Sequence, residues 1–142
     1  MALRVPRGVV ALAVLGGGLW ALSWLLPWLV PAVGINSLAG SLFVLVIVEY
    51  GRELLVAVAA VGVLWVGVRR RRSGQPLGPA GRLAVLAAVT FLLLTPLVSG
   101  TFYYALPQPD STTVRLVAAV GRDVAVAALV GSLSYTRVSA TS

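Results

Sequence analysis

Five charged residues sit where charge is costly. Glu49, Arg52, Glu53, Arg122 and Asp123 all interrupt long apolar runs, and three of them are among the four acidic residues of the whole chain. Such residues in a membrane segment usually pair with one another, face the interior of a helical bundle and mark either an ion path or a docking point. Glu49 and Glu53 are four apart and share a helix face, with Arg52 one turn from Glu49. The expected pairing joins Arg122 to Glu49 or Glu53, and Asp123 to Arg52. These five carry a net charge of −1, so one carboxyl is a candidate for protonation by desolvation and a like-charged neighbour.

The charges cannot be moved out of the apolar segments. A span needs about 20 residues. The stretches Ile35 to Val48 and Leu54 to Val68, on either side of the first charges, are each shorter than that. So are Val114 to Gly121 and Val124 to Tyr135, on either side of Arg122 and Asp123. Neither segment spans without its charges unless it is broken midway. The segment Leu38–Val68 has slack, since as a helix it would be about 46 Å long, and its charges could slide toward the outer interface; the fourth segment is the firmer case.

Composition sets the class. Of 142 residues, 59% are hydrophobic and 11% charged, with mean hydropathy +0.99. A soluble domain carries roughly a quarter charged residues, so this chain could not cover a water-facing surface. The pattern predicts an all-α integral membrane protein, a four-helix transmembrane bundle forming one domain. Its spans are expected at about 8–30, 38–68, 83–106 and 114–135, with a basic Gly- and Pro-rich loop at 69–82.

Basic residues orient the spans. Arg4 and Arg7 precede the first. Arg69, Arg70, Arg71, Arg72 and Arg82 lie between the second and third, and Arg137 follows the fourth. The connections 31–37 and 107–113 hold no Arg. The positive-inside rule therefore puts both termini and the Arg69–Arg72 cluster on the cytoplasmic side of a cellular membrane, or inside a virion envelope. The apolar run after Arg7 exceeds a signal-peptide core, so it is expected to stay as a signal-anchor-like first helix. Trp20, Trp24 and Trp28 recur at every fourth position and are expected to anchor the outer interface, with Tyr103 and Tyr104 nearby; Trp65 and Tyr135 fall near inner ends.

Two stretches are alike. Gly51-Arg52-Glu53-x-x-Val56-Ala57 and Gly121-Arg122-Asp123-x-x-Val126-Ala127 share a pattern, one in each half of the chain. Pro27 precedes Gly51 by nearly the same interval as Pro96 precedes Gly121. Two copies of a helical hairpin in parallel orientation would explain this; coincidence in a chain dominated by Val, Ala, Leu and Gly is the competing explanation. Small residues at every fourth position, Ala13–Gly17–Ala21, Ala80–Ala84–Ala88 and Gly121–Ala125, suit close helix packing.

Chemistry is bounded by what is missing. The chain has no Cys and no His, which removes thiolate chemistry and the commonest general base and metal ligand. No metal, cofactor or catalytic residue is expected, and no nucleotide or hydrolase motif is present. The Arg69–Arg72 cluster is expected to set topology and attract anionic lipid headgroups at about 1 kcal/mol per residue; four adjacent arginines are weak support for nucleic acid. The expected function is a small non-enzymatic membrane subunit. It would assemble with larger membrane proteins or with itself, as an accessory subunit of a respiratory or transport complex or as a viral envelope protein. The alternative is a small transporter or proton-conducting unit using the intramembrane carboxylates. That reading needs a chain of polar groups, for which Thr90, Thr95, Ser99, Ser132 and Ser134 are the further candidates.

Overall fold

The computed structural model describes residues 5–32, 34, 38–98 and 112–141. It is all-helical, with α1 (Arg7–Ala32), α2 (Leu38–Arg72), α3 (Gly78–Val98) and α4 (Thr112–Thr141). Three helices are long and apolar enough to cross a membrane: α1 over Arg7–Leu26, α3 over its whole length, and α4 over Thr113–Ser134. The longest helix, α2, carries Glu49, Arg52 and Glu53 in its middle. It is nevertheless one unbroken helix of 35 residues, about 52 Å long.

Each helix packs on its sequence neighbours, and α4 closes the ring against α1. Gly16 meets Val56 while Gly62 meets Val9, so α1 and α2 run antiparallel. The core is built mostly of small side chains: Ala13 on α1, Ala59, Ala60 and Val63 on α2, Ala84 and Ala88 on α3, and Ala125 and Val126 on α4. Larger Phe91, Leu129 and Leu133 fill the space between them. Small side chains let backbones approach, which is how apolar helices gain packing energy where lipid is as apolar as Leu.

The contact at Gly16 is the tightest. A Cβ there would lie 2.6 Å from Val56 Cγ2 and 3.1 Å from the Val56 backbone nitrogen. Gly16→Ala should therefore push α1 from α2 and cost about 1–3 kcal/mol, the usual penalty of overpacking. Gly18 has nothing within 4 Å of its Cβ position, so Gly18→Ala should be neutral or slightly stabilising. Reversible unfolding in mixed micelles would compare the two. Equal effects would count against this close α1–α2 packing at Gly16.

The stretch 69–82, expected as a loop, is mostly helical. Arginine is a good helix former and its charge is favourable at a helix C-terminus, so α2 runs through Arg69–Arg72. The stop follows at Ser73-Gly74. Gly74 adopts φ 75°, its N–H donates to the Arg71 carbonyl at 3.1 Å, and the Gln75 N–H donates to the Arg70 carbonyl at 3.0 Å. This pairing of bonds with a left-handed Gly ends a helix by satisfying its last carbonyls. Pro79 then sits in the first turn of α3, where its missing N–H leaves no bond unmade. Arg82 accordingly lies in α3, and the true connection is only 73–77.

Candidate functional site: a charged cluster at the centre of the bundle

The four helices converge on Trp20. It lies on α1 at helical spacing from Ala13 and Gly16, the face that packs inward, and is only 4% exposed. Its ring meets Phe91 of α3 edge-on, with centroids 5.7 Å apart and planes at 74°. The guanidinium carbon of Arg52, from α2, stands 4.1 Å from the Trp20 ring centre. That of Arg122, from α4, stands 4.9 Å from it. The indole Nε1 donates to Asp123 Oδ1 at 2.6 Å.

Two further bonds complete the cluster. Arg122 Nη1 donates to Glu53 Oε1 at 3.0 Å, tying α4 to α2, and both side chains are buried. Arg52 Nη1 donates to Ser23 Oγ on α1. The Ser23 hydroxyl in turn donates to the Trp20 carbonyl at 2.6 Å. The formal charges of Arg52, Arg122, Glu53 and Asp123 cancel. A cation over an aromatic face is worth about 2 kcal/mol where water is excluded, and two carboxylates beside the two guanidiniums offset the repulsion between them. The Nε atoms of Arg52 and Arg122 are buried and make no hydrogen bond.

The residues singled out from sequence divide. Arg122 and Glu53 come together. Arg52 and Asp123 do not pair with each other: the carboxylate of Asp123 takes the indole N–H, and Arg52 turns to Ser23 and the Trp20 ring. Glu49 stays on the exposed surface of α2 and makes none of these bonds, although its charge acts on Arg52 one turn away.

The tryptophan stripe also divides. Trp24 and Trp28 are exposed, at 65% and 80%, whereas Trp20 is interior rather than an interfacial anchor. Each i+4 step overshoots a full helical turn by about 40°, so Trp28 stands about 80° around α1 from Trp20. Of the small-residue row Ala13–Gly17–Ala21, Ala13 is buried, Gly17 faces Val130 and Ala21 is exposed, for the same reason.

Arg69, Arg71 and Arg72 are exposed around the end of α2, with Arg70 half-buried. Trp65 is exposed one turn before them. Tyr103, Tyr104, Ser99 and Arg4 lie outside the described residues, as do the side chains of Tyr135 and Arg137.

Sequence reasoning did not bring Trp20, Ser23 or Phe91 to the site. The signal for the first two was available. Ala13, Gly16, Trp20 and Ser23 follow the alternating three- and four-residue spacing of one helix face.

Three of the five further polar candidates use their hydroxyls locally. Thr90 donates to the Leu86 carbonyl at 2.8 Å, Thr95 to the Phe91 carbonyl at 2.7 Å and Ser132 to the Leu129 carbonyl at 3.0 Å. None of these bonds leads toward the cluster. Among the described residues, no group of three or more His, Cys, Asp or Glu could hold a metal ion. No family model matches the chain, nor does any characterised protein or solved structure.

Proposed function

We propose that this chain is a small non-enzymatic membrane subunit whose four helices all cross the bilayer, with both termini inside, and whose central charges lock the bundle together. The observation that carries this reading is the convergence on Trp20. Arg52, Glu53, Arg122 and Asp123 direct their bonds to one another, to Ser23 and to the indole, and each bond joins two different helices. Side chains arranged this way specify which helices pack and in what register, a well-attested use of buried polar groups.

The depth of the cluster supports the bilayer placement. Along the helix axes, Glu53 stands about 24 Å from Arg69, Trp20 about 20 Å from Arg7 and Phe91 about 14 Å from Arg82. Those depths lie within a hydrocarbon layer about 30 Å thick, with Phe91 near its middle and Trp20 and Glu53 toward its outer half. With the basic end at the inner interface, eight of the eleven arginines fall on that side and only Arg115 lies toward the outer. Arg69–Arg72 and Arg82 then meet anionic headgroups. An accessory subunit of a larger respiratory or transport assembly and an envelope protein of a virus both fit.

The second reading, a proton or ion conductor, rests on the same carboxylates. It is less well supported, because the hydroxyls of Thr90, Thr95 and Ser132 bond their own helices and offer no continuous relay.

Native mass spectrometry of protein extracted gently from its own membrane tests the subunit reading. Release with larger proteins at fixed stoichiometry is expected. Release only as the bare monomer would overturn it.

A further inference from the structure

The four arginines at the end of α2 are not equivalent. Arg69 and Arg72 are one turn apart, with β-carbons about 5–6 Å from each other, and Trp65 lies one turn before Arg69. These three positions fall within about 60° of arc around the helix, and all three side chains are exposed. They stand opposite the buried line of Val56, Val63 and Gly67, where Val56 meets α1 at Gly16 and Gly67 meets Val85 of α3. Arg70, about 100° round from Arg69, is half-buried. Arg71, about 200° round from Arg69, leaves the stripe on the other side. The end of the helix does not call on the Arg69 and Arg72 side chains for capping. The Arg69 carbonyl accepts from the Ser73 N–H and hydroxyl, that of Arg70 from the Gln75 N–H, and that of Arg71 from the Gly74 N–H. Glu49, Glu53 and Asp123, the acidic residues among the described ones, lie toward the middles of their helices, Glu53 about 24 Å along the axis from Arg69.

Each guanidinium presents a planar fork that matches two oxygens of a phosphate, so two of them one turn apart can hold one phosphate between them. A tryptophan in line with the pair, one turn nearer the bilayer centre, suits a ligand that is polar at one end and apolar at the other. We propose that Trp65, Arg69 and Arg72 form a binding site for one anionic phospholipid, the two guanidiniums holding its phosphate and the indole lying along the start of its acyl chains. This rests on the bilayer placement above and turns a general attraction to headgroups into one site with named side chains.

The test titrates the whole protein, in nonionic detergent micelles, with phosphatidylglycerol or phosphatidylcholine and counts bound lipid by native mass spectrometry. The first phosphatidylglycerol is expected to bind about thirtyfold more tightly than phosphatidylcholine, the scale of two surface arginines. Arg69→Gln/Arg72→Gln should abolish that preference. Arg71→Gln/Arg82→Gln removes the same charge from the same end of the bundle and should keep most of it. Equal losses in the two double variants would overturn the proposal, by showing a diffuse field in place of a site. Equal binding of the two lipids by the native protein would overturn it as well. So would soluble glycerol phosphate that displaces phosphatidylglycerol at equal concentration, by making the ligand a free phosphate. Ser73→Cys tests the bilayer placement separately, in a chain that has no other cysteine. Its reaction with an impermeant maleimide in intact cells would overturn that placement, whatever the lipid titration gives.

Discussion

Glu53→Leu is expected to destabilise the bundle severely, by about 3–5 kcal/mol, and the double variant Glu53→Leu/Arg122→Leu to recover most of the loss. Glu53 and Arg122 are buried and bonded at 3.0 Å. Removing one partner leaves the other as an uncompensated charge, which costs about 3–5 kcal/mol. Removing both leaves neither charge to be solvated, and hydrophobic replacement of a buried pair is often neutral or stabilising. The measurement is reversible unfolding of both single variants and the double in the same micelles. Additive losses in the double variant would show that the two side chains do not act as a pair.

Trp20→Ala should cost a similar amount, about 3–5 kcal/mol by the usual scale for a buried aromatic. Trp24→Ala and Trp28→Ala should change bundle stability little, since both side chains lie on the surface. The larger effect follows from what Trp20 touches: Arg52 from α2, Phe91 from α3, and Arg122 and Asp123 from α4. Trp20→Phe separates the contributions. It keeps a ring for the cations but removes the donor to Asp123, leaving a carboxylate oxygen unsatisfied at about 1–3 kcal/mol. Unfolding of the tryptophan variants side by side would check the ranking. A Trp24→Ala effect as large as that of Trp20→Ala would contradict the interior position of Trp20.

What is legible in the sequence follows from length and charge. The apolar segments around Glu53 and Arg122 are too short to span without them, so those charges must lie inside the segments, and opposite charges on two helices of one bundle find each other. The partner of Asp123 is not legible in the same way. Several donors lie within reach of a short carboxylate at a four-helix junction, and the choice between Arg52 and the Trp20 indole depends on packing. Trp20 groups with Trp24 and Trp28 because a spacing of four looks like one face, although the drift of about 40° per step separates them. Arg69–Arg72 reads as loop because Gly and Pro follow closely, but the helix-ending signal is Gly74, beyond the last of the four arginines. The exposure of Glu49 is missed, as that of Trp24 and Trp28 is, because it stands about 40° around α2 from the buried Glu53.

The proposed role of the cluster around Trp20 is to hold helices together and not to conduct. Proton flux into vesicles containing the purified protein, driven by a clamped potential and read with an internal pH dye, tests it most directly. The expected result is a leak no greater than that of protein-free vesicles, unchanged by Glu53→Gln or Asp123→Asn. Flux that depends on the protein and is lost in Glu53→Gln would contradict the account and make the same carboxylates a proton path.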